Sequence, residues 1–170
     1  MFQLGQLVVY GIHGVCRIRQ VEDRVVNRVK RRYLVLEPVS RGGSQYFVPM
    51  DNPAVMQKLS PLLTREELSA LLSSEAVRAD AWISDENRRK QSYRDMSSTG
   101  SREKLVQTLC GLYAHREKQK SLGKKLHICD DNFLHDAEKI LSDEIEAVLG
   151  CTNAEALDYL RTQLQRKKAV

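Results

Sequence analysis

Residues 4–50, LGQLVVYGIHGVCRIRQVEDRVVNRVKRRYLVLEPVSRGGSQYFVPM, decide how the fold is read. Within them LVVY (7–10), VCRIRQV (15–21), RRYLVLEPV (31–39) and SQYFVPM (44–50) are rich in β-branched and aromatic residues, the composition of strands. Turn residues separate them at Gly11 to Gly14, Asn27 and the pair Gly42-Gly43. The alternation in VCRIRQV is imperfect, because Val15 and Val21 share a parity with Arg17 and Arg19. Tyr33 to Leu36 reads as a strand buried on both sides. Four or five short antiparallel strands in so small a span predict an SH3-like β-barrel, whose edge strands stay open to a partner.

Working outward, residues 51–63, DNPAVMQKLSPLL, carry two prolines and little periodicity, so the domain boundary falls there. The expected division is a β domain at 1–52, a linker at 53–63 and a helical domain at 64–170. Thr64 with Glu67 fits a capping box, and SSTGS (97–101) breaks the helical pattern. Leu105, Val106, Leu109, Cys110, Leu112 and Tyr113 form the apolar stripe of a helix ending near Gly123. Phe133, Leu134, Ala137, Ile140, Leu141, Ile145, Val148 and Leu149 form the stripe of the next, capped by Asp130 or Asp131 and ended by Gly150. Thr152 and Glu155 open a last helix with Leu157, Leu160 and Leu164 inward and a basic tail, RKKAV. The fold class is α+β, a small β-barrel followed by an all-α helical bundle.

The 170 residues are 42% hydrophobic, enough for a real core, and carry a formal charge of +5. Residues 1–50 hold eight cations against three acids, so they carry the whole surplus. The four cysteines lie far apart with no CxxC pair, which points to reduced thiols. No run of about 18 apolar residues exists to span a bilayer, and the N-terminus lacks the pattern of a signal peptide; a cytoplasmic location is expected.

The only tryptophan lies in residues 79–94, ADAWISDENRRKQSYR, just ahead of Arg88, Arg89, Lys90 and Arg94. A helix through this stretch places residues 82, 86, 89 and 93 on one face, lining up Trp82, Arg89 and Tyr93. Two readings stay open from the residues alone. Trp82 is a core residue, or it is an apolar wedge beside cations that hold nucleic-acid phosphates. The run NRVKRR (27–32) is a further basic candidate, as a phosphate grip or a solvated hairpin.

Catalytic signatures are weak. The sequence has no GxxxxGK[ST], GxGxxG or G-x-S-x-G pattern, and no catalytic residue is identified. Asp131, His135 and Glu138 offer a helical-turn spacing suited to a divalent ion, but Asp131 also sits where a cap is needed. His127 and Cys129 are equally weak. No metal or cofactor is expected, and binding is favoured over catalysis.

The order of these features resembles a known family. GQLVVYGIHGVCRI, RRYLVLEP and YFVPMDN look like the N-terminal domain of the CarD and CdnL transcription regulators, a Tudor-like or SH3-like module also similar to the polymerase-interacting domain of the Mfd translocase. Trp82, ENRRK, LVQTLCGLYAHREK and the stretch from Gly123 to Gly150 resemble the helical domain of the same family. The resemblance implies a bacterial, non-enzymatic regulator that binds the lobe of the RNA polymerase β subunit. It further implies that the helical domain contacts promoter DNA at the upstream edge of the bubble, beside the minus-ten element. By the same resemblance Trp82 is the minor-groove wedge that stabilises the open complex, with Arg88, Arg89, Lys90 and Arg94 on phosphates. Polymerase contacts fall on Arg24, Gln45, Tyr46, Phe47 and Val48. The chain departs from the family pattern at Phe47, where many members carry a basic residue, and at Gly11, where they carry proline.

Overall fold

The computed structural model describes residues 2–40, 42–78 and 82–165, and the chain divides into two compact units, Met1–Leu62 and Leu63–Val170. The expected basic tail at 166–170 lies outside the described residues, as do residues 79–81 of the tryptophan stretch.

The first unit is built on a five-stranded antiparallel sheet of β1 (Leu7–Tyr10), β2 (Val15–Val26), β3 (Val29–Pro38), β4 (Tyr46–Pro49) and β5 (Leu59–Pro61), in the order β4-β3-β2-β1-β5. Val8, Cys16, Ile18, Leu34, Leu36, Val48 and Leu59 form its core. A bulge between Ile18 and Gln20 shifts the pairing parity, so that Ile18 faces Leu36 and the exposed Val21 faces Leu34, while Val15, ahead of the bulge, is buried beside its partner Val9. Beyond the bulge β2 and β3 continue as an exposed arm to a two-residue turn, Asn27-Arg28, both at positive φ.

Two expectations change here. The barrel is not closed: among the described residues the strands pair in one open row with β4 and β5 at its ends. The segment expected as a linker instead forms a short helix, α1 (Pro53–Met56), and the edge strand β5, paired with β1 through Val9↔Ser60. Its prolines obstruct neither element, since Pro53 occupies a first-turn position after the Asn52 cap and Pro61 ends an edge strand.

The second unit contains α2 (Arg65–Ser73), α3 (Glu75–Arg78), α4 (Glu86–Thr99), α5 (Arg102–Ser121), α6 (Ile128–Leu149) and α7 (Asn153–Gln165). Its core joins Leu68 and Leu72 of α2, Leu105 to Tyr113 of α5, Leu134 to Ile145 of α6, and Ala156, Leu160 and Leu164 of α7. Both predicted capping boxes form, Thr64 with Glu67 and Thr152 with Glu155. Gly100 and Gly150 end α4 and α6 in the left-handed conformation, which glycine adopts without a Cβ clash. The N-cap of α6 is His127, ahead of both aspartates expected there, and that frees Asp130 for another role.

Ion pairs on buried carboxylates tie the helices together. Arg102 of α5 binds Glu144 of α6, which also accepts from the backbone N–H of Leu63 at 3.1 Å. Glu138 of α6 accepts from the Tyr113 hydroxyl at 2.6 Å and takes a bidentate pair from Arg161 of α7. Burial alone raises the Glu138 carboxyl, but hydrogen bonds from Arg161 and Tyr113 and the nearby guanidinium charge outweigh it, so the group lies below the usual carboxylate range. No helix of the described residues is long and apolar enough to cross a membrane.

Candidate functional site

The tryptophan segment is not one helix. Asp85 caps α4, its carboxylate accepting from the Arg88 N–H at 2.8 Å, so the helix starts at Glu86 and Trp82 stands in the non-helical approach to it. Trp82 therefore shares no helical face with Arg89 and Tyr93, contrary to the periodicity reading. Tertiary structure nevertheless brings it to Arg89, whose guanidinium lies 4.5 Å from the indole centroid. The indole also stacks on His115 of α5, with centroids 3.7 Å apart and planes 12° from parallel. Burial lowers the His115 pKa, despite an opposing pull from Asp130, so the imidazole is neutral near pH 7 and stacks as an aromatic ring. Trp82 is half-buried, packed against the helical core and still part of the surface.

Arg89 is the main correction. It is 7% exposed and forms a bidentate pair with Asp130 of α6, at 2.7 and 3.0 Å. The same guanidinium donates to the carbonyls of Ile83 and Ser84, at 3.1 and 3.4 Å. It thus fixes the backbone next to Trp82 and is withdrawn from phosphate contact. Tyr93, one turn on, donates its hydroxyl to Asp130 at 2.6 Å and stacks on Phe133 at 4.2 Å. Burial by itself raises the Asp130 carboxyl, while hydrogen bonds from Arg89 and Tyr93 more than offset it and leave the pKa lowered.

The remaining predicted cations differ in availability. Arg88 and Arg94 are exposed, Arg94 donating to the Gln91 side chain at 3.0 Å. Lys90 is half-buried and paired with Glu86. Between α4 and α5 lies a cleft of about 660 Å3 whose walls include Trp82, with Arg88 and Lys104 supplying exposed cations and Asp95 an acid. An aromatic edge with two cations beside a cleft is suited to a nucleic-acid groove. The hairpin cations are less free, since Lys30 and Arg32 pair with Asp23 and Arg31 with Asp51.

In the first unit the predicted polymerase residues separate by face. Val48 is wholly buried in the sheet core, and Tyr46 is packed on that core beside Tyr10 and His13, so their side chains are structural. Phe47 faces the other way and is half-buried, with the Arg24 guanidinium 3.7 Å over its ring centroid. The two strongest candidates are thus brought together from strands that the sequence separates by 23 positions. Gln45 is exposed just before β4, an edge strand whose outer backbone has no strand partner among the described residues.

Metal-ligand geometry is poor. His135 lies 3.5 Å from Asp131 and 3.9 Å from Glu138, but Glu138 is committed to Arg161 and Tyr113. His127, Cys129 and Asp130 also cluster, yet Asp130 is held by Arg89. Sequence reading missed Asp130, His115 and the Asp85 cap; of these only the cap left a local signal, Ser84-Asp85 ahead of ENRRK.

Residues 2–60 match the family model described as the CarD-like/TRCF RID domain. None of the curated proteins matches the chain.

Proposed function

We propose, from the membership of the first unit in the CarD-like/TRCF RID domain family, that this protein is a non-enzymatic transcription regulator that docks on the β subunit of RNA polymerase and stabilises the promoter open complex. That domain match carries the reading, because it ties the chain to polymerase interaction and to transcription. The docking element is the edge strand β4 with Phe47 and Arg24. An edge strand provides main-chain hydrogen bonds, and the stacked Phe47–Arg24 pair adds an aromatic and a cationic contact, the types enriched in interface hot spots.

The helical unit then meets promoter DNA at the upstream edge of the bubble. Trp82 is the wedge, held in place by Arg89 and His115, and Arg88 and Arg94 contact phosphates while Lys90 contributes from its pair with Glu86. Inserting an indole offsets an unstacking cost of a few kcal/mol per base step. The melted state gains only the difference between its affinity and that of the closed state, and about 1.4 kcal/mol lengthens its life tenfold. Tethering to polymerase raises the local concentration of DNA around a unit that binds free duplex weakly.

The test is open-complex lifetime with the cognate polymerase, comparing the native protein with Trp82→Ala and with Phe47→Asp. The expected result is a longer lifetime with native protein, loss of that effect with Trp82→Ala while β-subunit binding survives, and loss of both with Phe47→Asp. Equal lifetimes for native protein and Trp82→Ala would refute the wedge.

A further inference from the structure

The cleft between α4 and α5 holds side chains that the wedge does not use. Its floor is apolar, with Met96 3% and Leu112 1% exposed, and Gly111 puts no side chain into the space. Arg88, Ser92 and Met96 follow one another at four-residue spacing along α4, as Lys104 and Thr108 do along α5, so each helix turns one face to the cleft. Its volume of about 660 Å3 falls among those of pockets that enclose a small organic group, about 300–1,000 Å3.

The polar side chains of the cleft fall into two sets. Gln91 donates to Asp95, the one acid in the walls, at 2.9 Å, and Thr108 donates to the Met96 sulfur at 3.2 Å. Ser92 and Gln107, both half-buried, have no side-chain hydrogen bond among the described residues, and the exposed Arg88 and Lys104 join no ion pair there. An unpartnered amide and hydroxyl favour an occupant that offers both donors and acceptors. An apolar floor, a neutral polar wall and one cation on each helix match the parts of a nucleotide, a flat base edged with donors and acceptors between anionic phosphates.

We propose that the cleft receives one unpaired base from the upstream edge of the promoter bubble, with Gln107 and Ser92 on its edge and Arg88 and Lys104 on the flanking phosphates. A wedge touches DNA in the closed and the melted state, so part of its binding energy shifts nothing between them. An unpaired base exists in the melted state alone, and a pocket for it therefore favours that state with its whole affinity. Trp82 stands in the wall of the same cleft, so a step opened by the indole releases its base beside the pocket. A glutamine amide pairs with adenine through N6 and N7, which makes adenine the base that Gln107 fits best.

The inference rests on the reading that Trp82 meets promoter DNA, and the two fail separately. Open-complex lifetime, with and without the full chain, is measured with the cognate polymerase on promoter templates carrying one abasic site at each position of the upstream bubble edge in turn. Polymerase binding and thermal melting serve as controls. The native protein is expected to lengthen the lifetime on every template but one, where the extension falls by at least about fivefold, the loss of one good base contact. Gln107→Leu shortens the extension on the intact template to the same degree and is indifferent to that abasic site, as coupling between one amide and one base requires. Ser92→Phe, which fills the cleft, behaves as Gln107→Leu does. If both variants keep the native extension while Trp82→Ala abolishes it, the wedge stands and the pocket is overturned. Trp82→Ala retaining an extension that Gln107→Leu loses refutes the wedge alone. Losses that add, the abasic site shortening the extension of Gln107→Leu as much as that of the native protein, also overturn the pocket. So does an extension abolished by free AMP while every abasic template behaves as the intact one, because a free nucleotide is then the occupant.

Discussion

Replacing Asp130 by Asn tests whether Arg89 holds the tryptophan segment in place. The carboxylate is buried, accepts from both guanidinium nitrogens of Arg89 and from the Tyr93 hydroxyl, and is the only acid paired with that guanidinium among the described residues. Asn keeps the shape and removes the charge, leaving a buried cation uncompensated, a defect that costs about 3–5 kcal/mol. For a unit of this size that lowers the melting midpoint by about 10–20 °C. Trp82 is the sole tryptophan and lies beside Arg89 and His115, so its fluorescence follows the helical unit without a label. The pH dependence has a definite sign. A carboxyl whose pKa is depressed by folding adds stability above its unfolded value of about 3.9, and loses it as pH falls through the folded pKa. The native protein therefore weakens as pH drops below about 4, and Asp130→Asn removes part of that acid dependence. The apolar double variant Arg89→Met/Asp130→Leu should melt above Asp130→Asn, since it leaves no unpaired charge. A midpoint for Asp130→Asn within about 2 °C of native, with the acid slope intact, would show that the pair does not hold the segment.

Further outcomes are expected elsewhere in the chain. Arg28→Gly relieves a non-glycine residue at φ 65° in the β2–β3 turn and should raise the denaturant midpoint of the first unit, by about 1 kcal/mol in stability. Glu138→Gln weakens the junction of Tyr113 and Arg161 and should also flatten the loss of stability below about pH 4, read by circular dichroism. Burial pushes the Cys16 thiol up to about 12, so iodoacetamide at pH 8 should leave Cys16 unmodified in native protein and label it after unfolding, read by mass spectrometry.

What could be read in the chain was local. The strands of residues 7–49, the capping boxes at Thr64 and Thr152 and the glycine ends of α4 and α6 follow from side-chain pattern and backbone chemistry within a few residues. The linker reading failed because an edge strand tolerates proline, so two prolines do not exclude pairing. No helix runs through Trp82 because the Asp85 cap starts α4 at Glu86, and a cap overrides the periodicity of the residues around it.

The sequence by itself determined the α+β division and the resemblance of its first residues to the CarD and CdnL regulators, and it singled out Trp82 and its neighbouring cations as the candidate site. Only the tertiary structure decided which of those cations is free. Arg89 and Asp130 are 41 residues apart, and whether a cation faces phosphate or a buried carboxylate depends on which helices pack together. The same packing joins Arg24 to Phe47 and Trp82 to His115, pairings between side chains brought together across the fold, for which no local pattern in the chain exists.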